Sequence, residues 1–329
     1  MDFPEELQSA VKDQLLDISQ AQILLASERI SERYRTRKLE KTEQFIRGKE
    51  EALAYMISRM PATYGAVSRV ISLAFQNIEK SDSYSLLDVG AGTGAATWAV
   101  SAAIPLHEVV CIERNKDLKN VGAKMMQSGS APLSQTRWVD MDVAQSGFEL
   151  QSDIVIESYM LNEIETSLQL EVAEKLWRAA KQMLIFIEPG TPLGYEVLSR
   201  VRERLVSLGA DLTAPCPHNR ACPLLEGDWC HFTCRIQRSR LHKLAKGGDA
   251  PFEDEKFSFL VFSKKEKRKR GARILRHPYI GKGFVKLELC EKEGLFSKTV
   301  TKRDGDLYKK LRKSKCGDEI FLDNTKMNH

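Results

Sequence analysis

The sequence of 329 residues contains no apolar run close to the roughly 20 residues that a membrane-spanning helix needs. A basic leader is missing as well, because the first 17 residues, MDFPEELQSAVKDQLLD, include five acids and one lysine. Secretory and mitochondrial presequences begin with basic residues, so we expect no targeting segment. The composition, 42% apolar and 29% charged, predicts a globular protein without a membrane partner, and the acidic start favours a cytoplasmic location.

Cysteine pairs of the C-x2-C type, which zinc sites commonly place on tight turns, are also missing. The chain has seven cysteines, an odd number, so we expect free thiols in a reducing compartment. Four of them, Cys216, Cys222, Cys230 and Cys234, are separated by only 5, 7 and 3 residues. Such crowding predicts a metal site; the alternative is that these thiols pack as small apolar side chains. The spacing leaves zinc and an iron-sulfur cluster equally open, although proline directly after Cys216 and Cys222 occurs in some iron-sulfur ligand loops.

Positive charge is concentrated in the last third of the chain, although the net charge of the whole is only +5. The stretch KKEKRKRGARILR, 264–276, has eight basic residues and one acid, and YKKLRKSK, 308–315, has five more basic residues. Two such runs favour a polyanionic partner, most simply nucleic acid. A solvated lysine-rich loop is the alternative for either run alone.

Residues 4 to about 80 show helical periodicity and no strand-like alternation. In VKDQLLDISQAQILLASERISERYR, 11–35, apolar side chains recur on one side of a helix, and EEALAYMISRM, 50–60, repeats the pattern. Pro61 then predicts a helix start, since proline is tolerated in a first turn. We therefore expect a helical cap over residues 1–80 that packs on the following domain.

A glycine-rich motif follows the cap. In YSLLDVGAGTGAATWAV, 84–100, a short apolar strand ends at Asp88, and Gly90, Gly92 and Gly94 let the backbone approach a ligand that a Cβ would repel. A second strand ends in Glu113, nineteen residues beyond Gly94, where an acid can bind both ribose hydroxyls of a nucleoside. NAD-binding proteins are the alternative, but their GxGxxG spacing differs. The whole unit resembles the first motif of class I S-adenosylmethionine-dependent methyltransferases.

Four further apolar stretches predict the rest of a sheet: TRWVDMD, SDIVIESYML, KQMLIFIEPG and KFSFLVFS, which begin at residues 136, 152, 181 and 256. Asp142, at the end of the first of these, is placed to reach an adenine edge. Helical patterns separate the strands. This alternation predicts an α/β protein with a mostly parallel, Rossmann-like sheet, which binds ligands at the carboxyl ends of its strands.

The sequence lacks the Asn-Pro-Pro-aromatic or Asp-Pro-Pro-aromatic motif that amino-group methyltransferases of this fold often carry after strand four. The corresponding residues are SYMLNE, 158–163, in which Asn162 and Glu163 are the candidates for positioning an acceptor. Glu163 equally fits a helix cap or a solvated side chain. Since methyl transfer needs mainly proximity and alignment, the missing motif weakens a catalytic role without excluding it.

Several segments together resemble the methyltransferase-like mitochondrial small-subunit ribosome assembly family and its bacterial relatives. They are RMPATYGAV, LLDVGAGTG, FIEPGTPLG, CPHNRACPLLEGDWCHF, DEKFSFLVFSK, RILRHPYIGKGFVKLELC and LRKSKCGDE. The resemblance implies a class I methyltransferase fold, a bound S-adenosylmethionine, and a protein, monomeric when free, that associates with the small ribosomal subunit and its rRNA. It adds the mitochondrial matrix as an alternative location. Two functions stay open, methylation of ribosomal RNA and a noncatalytic clamp on immature RNA.

The resemblance also implies a [4Fe-4S] cluster held by Cys216, Cys222, Cys230 and, far downstream, Cys290. A zinc-binding RNA methyltransferase is the alternative. Cys234 is then an ordinary packed thiol in a segment, FTCRIQRSRL, whose pattern we interpret as a helix. If FVKLELC forms the seventh, antiparallel strand of the sheet, Cys290 meets the other thiols at the sheet's amino-terminal edge, away from the cofactor cleft.

These interpretations divide the chain into four segments. We expect a helical cap over 1–80, an S-adenosylmethionine-binding core over 81–208, a cysteine-rich metal-binding insertion over 209–255, and the last strands of the core with a basic RNA-binding tail over 256–329.

Overall fold

The structure is a computed structural model that describes residues 3–36, 45–76, 81–145, 147, 149–264 and 270–322. The helices are α1 (Glu5–Gln14), α2 (Gln20–Thr36), α3 (Gly48–Ala74), α4 (Ala95–Ser101), α5 (Lys116–Gln127), α6 (Gln169–Ala179), α7 (Pro192–Ser207), α8 (Arg240–Lys246) and α9 (Asp306–Leu311). The strands are β1 (Tyr84–Val89), β2 (Leu106–Ile112), β3 (Arg137–Val139), β4 (Ser152–Ser158), β5 (Ala180–Pro189), β6 (Asp211–Ala214), β7 (Phe232–Gln237), β8 (Phe252–Ser263), β9 (Ala272–Ile274), β10 (Tyr279–Gly281), β11 (Phe284–Glu291), β12 (Gly294–Thr301) and β13 (Glu319–Ile320).

Helices α1 to α3 form the expected N-terminal cap. The prediction that a helix starts at Pro61 is wrong, because α3 is 27 residues long and runs through Pro61. Proline removes the N–H that would bond to the carbonyl of residue 57, which costs about 3 kcal/mol inside a helix. The helix continues because buried side chains on both sides of the proline, among them Met56, Met60 and Val67, hold it against the core.

The main sheet has the strand order β3-β2-β1-β4-β5-β8-β6, and β7 pairs with β8 beyond this path. Strands β1 to β5 are parallel, whereas β8 runs antiparallel to both β5 and β6. Every residue of β1 is buried, as expected for a central strand with both faces covered. The predicted α/β architecture with a mostly parallel sheet is therefore confirmed.

Residues 209–255, predicted as a cysteine-rich insertion, contribute β6, β7 and the start of β8 to this sheet and consist otherwise of loops and α8. Strand β6 extends the sheet, and β7 pairs with the first half of β8 from Phe232 opposite Phe257 to Gln237 opposite Phe252. The helix predicted for FTCRIQRSRL is wrong, since FTCRIQ is β7 and α8 begins only at Arg240. The period-two burial of Phe232 and Ile236 explains the strand.

Residues 272–320 contain a second sheet of five strands. Strand β11 pairs antiparallel with β12 along its whole length and with β10 and β9 along its other edge, and β13 pairs with β9. FVKLELC is therefore not the seventh strand of the main sheet. Its alternating side chains explain why: Val285, Leu287 and Leu289 are buried in a small core of their own, into which α9 packs Tyr308 and Leu311.

The basic run 264–276 is only partly an exposed surface. Residues 265–269 lie outside the described residues. Arg270 forms an ion pair with Asp211 at 2.9 Å, and Arg276 forms one with Asp228. Arg273 is 2% exposed and donates to the carbonyls of Pro215 and Gly317. Arg270 and Arg273 are therefore engaged within the fold, whereas the ion pair of Arg276 is part-exposed.

Across the described ranges, no helix combines the length and the apolar character that crossing a membrane requires.

Candidate functional site

A cleft opens at the carboxyl ends of β1, β2 and β4, under the cap. Four of the six residues predicted to bind a cofactor line it: Gly90, Gly92, Glu113 and Asp142. The cap contributes Phe45, Ile46 and Tyr55 to the opposite wall, a contribution that the sequence motifs did not predict. The cleft holds about 120 Å³.

The glycine turn leaves room at the bottom of this cleft. Gly90, Gly92 and Gly94 have φ angles of 73°, 57° and 83°, in the left-handed region that favours glycine. A Cβ on Gly92 would meet no atom within 4 Å, so this backbone faces open space. A Cβ on Gly90 would instead lie 2.7 Å from Sδ of Met160, whose side chain covers that glycine.

Asp88 and Gly94 do not line the cleft and act on the turn from behind. Asp88 is fully buried, and its Oδ2 accepts from the backbone N–H and the hydroxyl of Thr97 at 3.1 and 2.7 Å. Burial raises the pKa of Asp88 to about 6. Gly94 is the N-cap residue of α4. Both residues therefore hold the start of α4 against β1.

The two remaining acids, Glu113 and Asp142, line the cleft beyond the glycine turn. The Glu113 carboxylate accepts from the backbone N–H groups of Gly92 at 2.8 Å and Asn115 at 2.7 Å. Burial raises the pKa of Glu113, and these bonds oppose the rise. Asp142 accepts from Ala144 N at 3.0 Å and from Arg114 at 3.2 Å. The cleft thus has an acidic wall fixed by backbone hydrogen bonds.

A second, larger cleft of about 690 Å³ adjoins the first and lies between α2, α3, α8 and the loop after β4. The two clefts share Tyr55, Tyr159 and Glu163. Tyr159 has a φ of 63°, rare for a bulky residue, and its hydroxyl donates to Glu255 at 3.1 Å. The loop after β4 is therefore a constrained wall between the clefts.

The two candidate catalytic residues occupy this wall in different ways. The Asn162 side chain is turned inward, and its Nδ2 donates to Oε2 of Glu188 at 2.5 Å and to the carbonyl of Tyr159 at 3.3 Å. Glu163 lines both clefts. Asn162 thus holds the loop, while Glu163 lies where the two clefts meet.

A pair of buried carboxyl groups supports the loop from below, and the sequence motifs did not predict it. Glu157 ends β4, Glu188 lies near the end of β5, and both are fully buried. Oε1 of Glu157 accepts from the N–H groups of Met160 and Leu161 at 2.6 and 3.0 Å. Burial, together with the other carboxyl group, raises the pKa of Glu157 well above its ordinary value, and burial raises that of Glu188, so the pair favours keeping a proton. The sequence does contain a signal that could have revealed this pair: an acid follows the apolar residues in each of two predicted strands, IVIE and IFIE.

A separate cavity brings together the four predicted metal ligands. Cys216, Cys222, Cys230 and Cys290 all line it, and it shares no lining residue with the cofactor cleft. Cys234 is not among its lining residues and packs against Gly65 of α3. The expectation that the thiols lie at the amino-terminal edge of the sheet is wrong. Strand β6 runs parallel to β5, so it carries the chain towards the carboxyl edge before Cys216.

The thiols lie close to one another and to buried cations. Burial raises the pKa of Cys230 well above its ordinary value, and the neighbouring thiols of Cys216, Cys222 and Cys290 raise it further. Arg202 and Arg273 act in the opposite direction on the pKa of Cys216, which burial raises. Within the described ranges, no three histidine, cysteine or acidic side chains converge as the ligands of a single metal ion do.

The strand order of the main sheet and the glycine cleft define the class I methyltransferase fold. Residues 49–321 match the family described as mitochondrial small ribosomal subunit Rsm22, and the chain belongs to that family. The human mitochondrial ribosome assembly protein METTL17 is 27% identical over 288 residues, which are 81% of this chain. The chain spans 62% of the length of that relative.

Two solved structures are similar at a distance. Magnesium protoporphyrin IX methyltransferase from Synechocystis, with bound S-adenosylmethionine, is 12% identical with a TM-score of 0.41, over 73% of this chain and 97% of that one. The N-methyltransferase NodS from Bradyrhizobium japonicum, with S-adenosylhomocysteine, is 10% identical with a TM-score of 0.42, over 65% of this chain and 92% of that one. At these scores the fold assignment rests on the strand order alone.

The buried carboxyl pair predicts a stability that falls as pH rises. Burial raises the pKa of Glu188 to about 7 from an ordinary 4.5 and raises that of Glu157 well above 4.5. Between about pH 4.5 and 7 the folded chain keeps a proton that the unfolded chain loses, so the free energy of unfolding decreases across that window. Glu157→Gln supplies a permanent N–H donor and should flatten this dependence in urea titrations at several pH values.

Glu157→Ala is the matched control for this prediction. It leaves the buried N–H groups of Met160 and Leu161 without their acceptor and should lower stability by about 2 kcal/mol at all pH values. A wild-type pH profile in the Glu157→Gln variant would show that the pair does not titrate in this window.

Proposed function

We propose that this protein is an assembly factor of a small ribosomal subunit that binds S-adenosylmethionine in the glycine cleft. Membership of the Rsm22 family is the observation that carries the proposal, together with the glycine turn and acidic wall of the cleft. The human relative is named as a ribosome assembly protein and as mitochondrial. We therefore infer the mitochondrial matrix for this chain, and the cytoplasmic location expected from the acidic N-terminus finds no support.

The residues of the cleft fit such a cofactor. Gly92 presents bare backbone to open space, and the carboxylates of Glu113 and Asp142 lie where the ribose and adenine of a nucleoside would follow. The cofactor supplies an activated methyl group when bound. Ligand sites generally hold about 300 Å³ or more, so the cleft of 120 Å³ must widen on binding. The flexible Met160 side chain over Gly90 is the part that can move away.

The cavity of four thiols fits a [4Fe-4S] cluster better than zinc. Four thiolates carry negative charge, and the buried Arg202 and Arg273 beside them offset it. One zinc ion draws its four ligands to a single point, whereas a cluster spaces them around several atoms. All four thiols line one cavity, and the family resemblance is what favours the cluster over zinc. Its role would be structural, since the cavity and the cofactor cleft have separate walls.

Methyl transfer is the second candidate function, and the cleft of 690 Å³ favours it. That cleft meets the cofactor cleft at Tyr159 and Glu163, so it offers an acceptor nucleotide a place beside the methyl group. The inward orientation of Asn162 favours the noncatalytic clamp instead. Incubating the protein with labelled cofactor and immature small subunits decides between them, because only an enzyme transfers label.

Cofactor binding can be tested at the glycine turn. Gly92→Ala places a methyl group into space that is open in the free protein, so affinity for S-adenosylmethionine should fall at least about tenfold by calorimetry. Stability should fall by about 1 to 2 kcal/mol because of the positive φ. Glu113→Ala should weaken binding by about 1 to 3 kcal/mol.

Met160→Ala is the control for these variants. It clears the cleft without removing a ligand-facing polar group, so affinity should be kept or increased. Unchanged affinity in both Gly92→Ala and Glu113→Ala would remove the glycine cleft as the cofactor site.

The thiol cavity can be tested by metal content. Serine at Cys216, Cys222, Cys230 or Cys290 should lower iron content and soluble yield after anaerobic purification, because metal binding contributes to folding. Cys234→Ser should keep its iron and cost about 1 kcal/mol, since Cys234 packs on α3. A colourless wild-type protein with one zinc would overturn the cluster. Iron lost from Cys234→Ser and kept in Cys290→Ser would overturn the ligand set.

A further inference from the structure

The second sheet has one covered face and one open face. Its inner side chains, such as Val285 and Leu287, pack in the small core. On the other face, Tyr279 of β10, Lys286 of β11 and Thr299 of β12 stand in one row, because directly paired residues of antiparallel strands point to the same side. All three are exposed.

The next row gives this face an aromatic surface. It consists of Gly281, Phe284 and Thr301. The rings of Phe284 and Tyr279 are 5.9 Å apart, and Tyr279 is 65% exposed. A Cβ on Gly281 would lie 2.3 Å from the Phe284 ring, so this glycine allows the ring to lie over the strand. Tyr279 is exposed and Phe284 is half-buried, so the two neighbouring rings form an aromatic platform that is partly open to solvent.

Lysines surround this platform. Lys286 stands directly opposite Tyr279, Lys282 lies in the turn between β10 and β11, and the Lys302 side chain passes 3.9 Å from a Cβ on Gly283. All three are exposed, and none forms an ion pair with another described residue. Of the nearby acids, Asp304 is engaged by the backbone and hydroxyl of Thr301, and Glu288 lies one row further along β11.

We propose that this face binds single-stranded RNA, with a base stacked on Tyr279 and Phe284 and flanking phosphates on Lys286 and Lys302. Any base offers a ring face to an aromatic platform, and lysines bind the backbone without regard to sequence. The base faces of a duplex are not accessible, so the occupant is an unpaired segment. That the segment belongs to small-subunit rRNA rests on the proposed function. The face differs from the predicted basic run, whose described arginines are engaged within the fold.

The test uses the full-length protein and a fluorescent single-stranded oligouridine, with the matching duplex as comparison. Tyr279→Ala should weaken binding about tenfold, and Tyr279→Phe should keep it, because the ring stacks without its hydroxyl. Lys286→Gln should lower the slope of log affinity against log salt by about 0.7. Lys124→Gln, at an exposed lysine of α5, is the matched control and should change the affinity and the slope only slightly.

The outcomes separate this inference from the function on which it rests. If the wild-type protein binds the single strand and Tyr279→Ala and Lys286→Gln bind it equally well, the open face is not the RNA site. If Lys124→Gln weakened RNA binding as much as Lys286→Gln does, the effect of Lys286→Gln would come from overall charge and not from the open face. If the wild-type protein binds no RNA of either kind, the proposed RNA partner fails as a whole. Each variant must melt at the wild-type temperature, so that a loss of binding cannot be due to unfolding. Because Tyr279 is exposed, its substitution should leave the melting temperature unchanged.

Discussion

Strand β8 pairs with β5, β6 and β7, and both candidate sites take their positions from these pairings. Ser258 of β8 is paired with Glu188 of β5, which is one of the two buried carboxyl residues. The hydroxyl of the same serine donates to the carbonyl of Cys230 at 2.7 Å. One residue of β8 therefore stands between the loop that shapes the cofactor cleft and the segment that carries the thiols. A shift of register in β8 would displace both.

Two of the places where charged side chains are buried differ in how that charge is compensated. The carboxyl pair of Glu157 and Glu188 lowers its charge by keeping a proton and receives backbone N–H groups on the outside. Arg202, 4% exposed, donates to the carbonyls of His218 and Arg220, which supply dipoles but no opposing charge. Arg202 also lies close enough to Cys216 to oppose the rise in pKa that burial causes in that thiol.

Local sequence patterns predicted the parts of the structure that depend on local geometry. The glycine turn at Gly90, Gly92 and Gly94 was predictable because bare backbone and positive φ leave few residue choices. The position of Pro61 inside α3 was not predictable from local sequence, because tertiary packing of α3 outweighs the local preference of proline for a helix start. The assignment of Cys290 to the thiol cavity came from family resemblance, because 60 residues separate it from Cys230 and no local pattern joins them. In the basic run, composition does not distinguish an arginine that would contact RNA from Arg270, which forms an ion pair with Asp211.

Strand β11 of the second sheet contributes one residue to the thiol cavity and another to the open face. Cys290 and Lys286 lie on the same side of β11, four residues apart, which is about 13 Å along a strand. At one end of this strand Cys290 meets thiols that belong to the main sheet and its loops; at the other, Lys286 and Tyr279 face outward. Without a metal, the second sheet is held to the rest of the chain by polar contacts such as Arg69 with Asp318 and Arg273 with Pro215. Metal bonds to Cys290 would fix β11 itself. A cluster in this cavity would therefore set the orientation of the open face relative to the cofactor cleft, although it touches neither ligand.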